Sequence, residues 1–173
     1  QTIKEKHNLD LGPFGDYSLR EGWPPKNFYT YNHHPRYLVN QFGLRNRMAI
    51  LSEAFAHERF YDRIFSTYAF VSEILNYTNS HADEIIKINK QAEAETIASI
   101  TQAGKIKKGV RFKMIPLKKL DGFISYDFIQ KKKSDGKLEY VRTGKISSFE
   151  DVTYYAKFEP TIESAVPAAY LIP

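Results

Sequence analysis

The hydrophobic repeat changes period once along this chain, and that change limits the possible folds more than any other feature. Up to about Gly104 the apolar residues recur at helical spacing. Phe60, Ile64, Tyr68, Val71 and Leu75 follow one another at intervals of four, four, three and four, and Tyr61, Phe65 and Ile74 widen the stripe. The spacing predicts a helix from His57 to Tyr77 that packs over a sheet. Asn79 and Ser80 end it, and Ser80-His81-Ala82-Asp83 reads as a capping box with Asp in the usual Glu position. A second helix follows to about Ala103, with Ile85, Ile88, Ala92 and Ile100 roughly on one side, and Gly104 closes it. From Lys105 the period is two. Val110, Phe112 and Met114 alternate with Arg111 and Lys113, and Phe123, Ser125 and Asp127 alternate with Ile124, Tyr126 and Phe128. Asp135-Gly136 marks a hairpin turn between Phe128-Ile129 and Leu138 to Val141. Val152 to Phe158 forms a further strand, and Val166 to Pro173 a last extended piece. The expected fold class is α+β, with helices first and then a small antiparallel β-sandwich-like or barrel-like unit of five or six strands.

Before the helices, Met48 to Leu51 is a short continuous apolar run bounded by a Gly-containing loop and polar residues. Such a run suits a β-strand covered on both faces. Glu53 stands at its end, where α/β proteins place their chemistry, although a carboxylate there also suits the start of the next helix. Residues 1–26 hold Gly12, Gly15, Gly22, Pro13, Pro24 and Pro25 and read as turns and loop, with Trp23 plugging an apolar hollow. Asn27 to Tyr31 is aromatic and strand-like. A buried central strand entered from loop has no partners before it and cannot stand alone, so further chain is expected upstream. His33 and His34 precede Pro35; if extended there, their side chains point to opposite faces and cannot share a metal. Arg36, Arg45 and Arg47 lie close by in sequence, and Arg is a natural partner for a carboxylate, whether in structural ion pairs or on a substrate.

Tyr31-Asn32-His33-His34-Pro35-Arg36-Tyr37, Gly43-Leu44-Arg45-Asn46-Arg47 and Ile50-Leu51-Ser52-Glu53-Ala54-Phe55 together resemble the closing segment of the carboxypeptidase A-like zinc carboxypeptidases, in a bacterial branch of that family. The similarity runs from about Gly12 to Tyr77. The ending Pro167-Ala168-Ala169-Tyr170-Leu171-Ile172-Pro173 extends it, less specifically, to sequence appended after the peptidase helix. The resemblance implies the C-terminal portion of an α/β zinc-carboxypeptidase fold, a strand plus long helices, with Glu53 as catalytic general base. It implies a substrate-contacting tyrosine about twenty residues earlier, at Tyr31, with Tyr29 and Tyr37 as alternatives. His34, Arg36 and Arg45 would border the substrate, and Leu38 and Leu51 would line a side-chain pocket or serve ordinary packing. The family's zinc is held by a His-x-x-Glu pair and a later His. Neither His57 nor His81 stands in such a pattern, so no metal ligand is assigned here; zinc is expected in the full-length protein and none in this chain alone. The implied partners are a peptide substrate and a preceding part of the catalytic domain. The implied division is 1–79 as catalytic-domain segment, 80–104 as linker helix and 105–173 as β-rich accessory domain. The expected activity is hydrolysis of C-terminal peptide bonds by the full-length protein, with this piece inactive alone. The alternative is a peptide- or polymer-binding module built on the β-rich part.

The resemblance also implies a periplasmic or extracellular setting. Starting at Gln1, the chain reads as a mature product or excised piece. Cysteine is absent, which removes disulfides and thiolate ligands without choosing a compartment. No run is long enough to cross a membrane. The net charge of +5 is uneven, with 13 Lys or Arg against 4 Asp or Glu between Lys105 and Lys145. That excess invites a nucleic-acid reading, but no recognised motif accompanies it. Lys131 to Lys133, just before the Asp-Gly turn, reads as a solvated loop, and no nucleic-acid partner is expected.

Overall fold

The long helices precede the long strands as the change of period requires, with one short strand at Asn27–Tyr29 ahead of them, and the architecture is α+β. The computed structural model describes residues 3–56, 58–167 and 169. By packing, the chain forms two units, each discontinuous in sequence: residues 1–12, 33–110 and 163–173 in one, 13–32 and 111–162 in the other.

The first unit is helical. It holds α1 (Ile3–His7), α2 (Leu38–Gly43), α3 (Phe60–Ser80) and α4 (Ala82–Ile100). His57, expected to open the long helix, lies outside the described residues; α3 begins at Phe60 with Arg59 as its N-cap. The capping box at Ser80 does not form. Ser80 Oγ donates back to the Asn76 carbonyl at 2.9 Å, which keeps Ser80 inside α3. His81 is the shared cap of both helices, its ring stacked on Tyr77 at 3.9 Å. Asp83 and Glu84 in the first turn of α4 complement the helix dipole. α4 stops at Ile100, and the turn that follows passes through Gly104 at φ 78°, whose N–H donates to the Val166 carbonyl at 2.9 Å.

Met48 to Leu51 is not a strand. The run pairs with no β-strand, and Met48, Ile50 and Leu51 are 55%, 64% and 45% exposed. A strand needs a neighbour to satisfy its backbone, and the described residues bring none to this segment. The α3 stripe is uncovered as well: Phe60, Tyr61, Ile64, Tyr68 and Leu75 are all exposed.

The second unit carries β1 (Asn27–Tyr29), β3 (Phe123–Lys132), β4 (Leu138–Phe149) and the greater parts of β2 (Lys107–Leu120) and β5 (Val152–Ala165). One sheet runs β1-β5-β2 and the other is the β3–β4 hairpin. The expected unit was purely antiparallel; instead β1 pairs β5 in parallel, Phe28 opposite Tyr154. Strands so far apart in sequence need no tight turn between them, so nothing forces the antiparallel sense. Phe28, Val152 and Tyr154 are the buried core, with Tyr17, Leu120, Phe123, Phe149 and Ala156 packed around it. β2 is an edge strand of its sheet, and its Lys107, Lys108, Lys113, Lys118, Lys119 and Pro116 are the residue types that keep an edge from pairing with other chains. Of the final piece, residues 168 and 170–173 lie outside the described residues; Val166 is not in a strand.

The Asp135-Gly136 hairpin forms, with Lys132 opposite Leu138. The simple alternation expected along β3 does not persist. Between the pairs Tyr126–Ile146 and Phe128–Arg142, Asp127 alone on β3 faces residues 143–145 on β4, where Gly144 has φ 84°. A bulge of this kind bends and twists the pair. Phe123 and Phe128, of opposite parity, both reach Tyr17, each with ring centroids at 6.3 Å. Trp23 packs on Phe128 at 4.9 Å and Phe149 at 5.0 Å and donates from Nε1 to Asp127 at 2.8 Å. It fills an apolar hollow as expected, within the β unit.

Candidate functional site

The segment leading to Glu53 is anchored by how α2 ends. Arg47 N–H donates to the Phe42 carbonyl and Asn46 N–H to the Gly43 carbonyl, both at 3.0 Å, with Asn46 left-handed at φ 55°. This is a Schellman closure with Asn in place of the usual Gly, a residue that tolerates the left-handed region. α4 then holds the turn. Asn46 Nδ2 donates to Thr96 Oγ1 at 2.9 Å, and the Arg47 guanidinium pairs with Glu93 three residues earlier on the same helix. The Gly-Leu-Arg-Asn-Arg stretch is thus a helix terminator clamped to α4, and Arg47 is used in a structural ion pair.

Beyond the clamp, Leu38, Val39 and Phe42 of α2 meet Met48, Ala49, Ile50 and Leu51 around an open apolar hollow of about 220 Å³. Leu38 and Leu51, both singled out in sequence, are brought together here. Val39, Phe42, Met48 and Ile50 were not assigned to a site. Their signal was present, since Leu38, Val39 and Phe42 share one helical face just before an apolar run.

Glu53 lies in irregular structure two residues past the hollow, exposed, and makes no hydrogen bond or ion pair among the described residues. It is neither at a strand end nor in the first turn of α3, which starts seven residues later. The Arg45 side chain is likewise exposed and unpaired among the described residues. Arg36 is turned onto its neighbour: its guanidinium carbon lies 5.0 Å from the Tyr37 ring centroid, and Nη2 donates to the Tyr37 hydroxyl at 3.0 Å. His33 and His34 do not point apart. The stretch is not extended strand, and the two rings stack at 5.0 Å with 30° between planes. Tyr31 belongs to the β unit, where its ring meets Phe14 edge-on at 5.5 Å. Tyr29, one alternative to it, donates its hydroxyl to Glu21 at 3.1 Å and stacks on Tyr155 at 5.0 Å; burial first, then the Glu21 carboxylate, pushes that hydroxyl above its ordinary value of 10.0.

Among the described residues no three His, Asp or Glu side chains gather closely enough to hold a metal ion. No described helix is long and apolar enough to cross a membrane. Compared with known proteins, the chain matches no family model, no curated protein and no solved structure.

Proposed function

We propose that the chain is the C-terminal portion of a zinc-dependent metallocarboxypeptidase that removes residues from peptide C-termini, with Glu53 as its general base. The observation that supports this reading most is the state of Met48 to Leu51. An apolar run with the composition of a covered strand leads directly to a free carboxylate, yet it lies open, next to an equally open α2 face. A central strand separated from its sheet would look like this. The uncovered α3 stripe fits the same account, as the helix that packs over that sheet.

In this reading Glu53 takes a proton from the attacking water and returns it to the departing amine, a task for a carboxylate within hydrogen-bond reach of both. Arg45, exposed and unpaired among the described residues, is the candidate for the substrate's terminal carboxylate. His34, Arg36, Leu38 and Leu51 border the substrate. The described side chains do not form a zinc site, so the ligands would come from a preceding segment of the polypeptide. An exported, periplasmic or extracellular setting belongs to the same proposal.

The test is an assay of the longer natural polypeptide on a peptide with a free C-terminus and on its C-terminal amide. Release of the last residue from the free peptide only, lost on chelation and restored by zinc, supports the proposal. No release with zinc present contradicts it.

A further inference from the structure

One row along α3, which begins at the edge of the exposed stripe, meets α1. Phe65, Ala69 and Glu73 recur at four-residue intervals and so form one row along the helix. Ala69, 1% exposed, is buried in the middle of that row. At one end the His7 ring of α1 meets Phe65 edge-on, with centroids 6.4 Å apart. At the other, Lys6 Nζ is 2.6 Å from Glu73 Oε2 and His7 Nε2 is 3.0 Å from Oε1. Each carboxylate oxygen therefore takes one side chain of α1. Helix α1 has five residues, far too few to persist without docking. Lys4 is used elsewhere, on Asp10 at 2.9 Å, and the Lys6 and His7 contacts to α3 meet on one carboxylate.

We propose that α1 is a charge-locked strap on α3, with the Glu73 carboxylate as the lock, so that acid neutralisation of Glu73 undocks and melts α1. The strap stands independently of the peptidase reading. Lys6 first, and then His7, hold the Glu73 carboxyl below its ordinary value of 4.5. A group depressed in this way favours the docked state fully above its ordinary value and loses that effect as pH falls through the lowered one. Among the described residues, the charged groups that face this carboxylate are Lys6 and His7, and α4, which also packs on α3, brings no ion pair to it.

The experiment is NMR on the isotope-labelled 173-residue chain. At pH 6 the wild type should show helical carbon shifts over residues 3–7 and a His7–Phe65 ring-to-ring cross-peak. Glu73→Gln at the same pH should abolish the cross-peak and at least halve the helical shifts, while α3 keeps its own. In wild type the same losses should follow the Glu73 side-chain titration. Should Glu73→Gln fail to fold, Lys6→Gln/His7→Gln leaves α3 untouched and should free α1 equally. A cross-peak and helical shifts that survive either variant, or survive protonation of Glu73, would overturn the proposal.

Discussion

Removal of Trp23 should cost the β unit much of its stability. Its ring packs on Tyr17 at 5.5 Å, Phe128 at 4.9 Å and Phe149 at 5.0 Å, and its Nε1 donates to Asp127 at 2.8 Å. Truncating a large aromatic in a core costs about 3 to 5 kcal/mol. The ring here is only partly buried, so Trp23→Ala is expected to cost about 3 kcal/mol. Trp23→Phe keeps an aromatic ring against the same neighbours and forfeits mainly the hydrogen bond, about 1 kcal/mol. The assay is hydrogen exchange of the β3 and β4 amides, which reads this unit by itself. Exchange governed by unfolding of the unit should quicken about 150-fold in Trp23→Ala and about fivefold in Trp23→Phe, since each 1.4 kcal/mol is about tenfold. A change below about threefold in Trp23→Ala would refute the reasoning. Equal changes in the two variants would show that the hydrogen bond, and not the ring, holds the segment.

Asn46→Ala should destabilise the turn after α2 by about 1 to 2 kcal/mol, combining a left-handed backbone penalty with loss of the bond to Thr96; Asn46→Gly, which keeps only the backbone freedom, should fall between the two in a denaturant titration. Gly15→Ala should disrupt the bridge between Asp16 and Tyr29, because a methyl there would lie 2.5 Å from the Tyr29 carbonyl oxygen and 2.8 Å from the Phe28 ring; Gly12→Ala, which meets nothing within 4 Å, should leave melting unchanged. Asp127 is held below its ordinary value of 3.8 by Trp23 first and then Ser147. Its ionised form therefore favours the folded unit above that value, and the contribution disappears as pH falls through the lowered one. The stability of Asp127→Asn should be correspondingly less sensitive to acid below pH 4, as followed by fluorescence of the sole tryptophan, and an identical acid profile in the two proteins would contradict this.

The helices and the hairpin were legible because each rests on local chemistry. A 3.6-residue stripe in α3, period two from Val110 and an Asp-Gly turn specify conformation over a few residues at a time. The bulge was not legible, because the partner of Asp127 is set by a glycine on the opposite strand, and the parallel pairing of β1 with β5 depends on residues more than a hundred positions apart. Met48 to Leu51 shows the limit most clearly. Its composition is that of a covered strand, but composition cannot supply the neighbouring strands, and without them the run is irregular and exposed. Ser80 shows a smaller version of the same problem: its hydroxyl could serve the next helix or its own, and it donates to the carbonyl of Asn76. In the site, Leu38 and Leu51 were brought together. His33 and His34 would diverge only in extended strand, and residues 31–34 are irregular, with the turn at Pro35-Arg36.

Glu53→Gln, placed in the longer polypeptide that the proposal calls for, tests the central claim most directly. The substitution keeps the shape of an exposed side chain that makes no bonds among the described residues, so the fold should be unaffected, as the melting curve would verify. If Glu53 is the general base, kcat for release of the C-terminal residue should fall by about 10² to 10⁴ with little change in KM. A kcat within about threefold of the wild type would remove Glu53 from the chemistry and contradict the account.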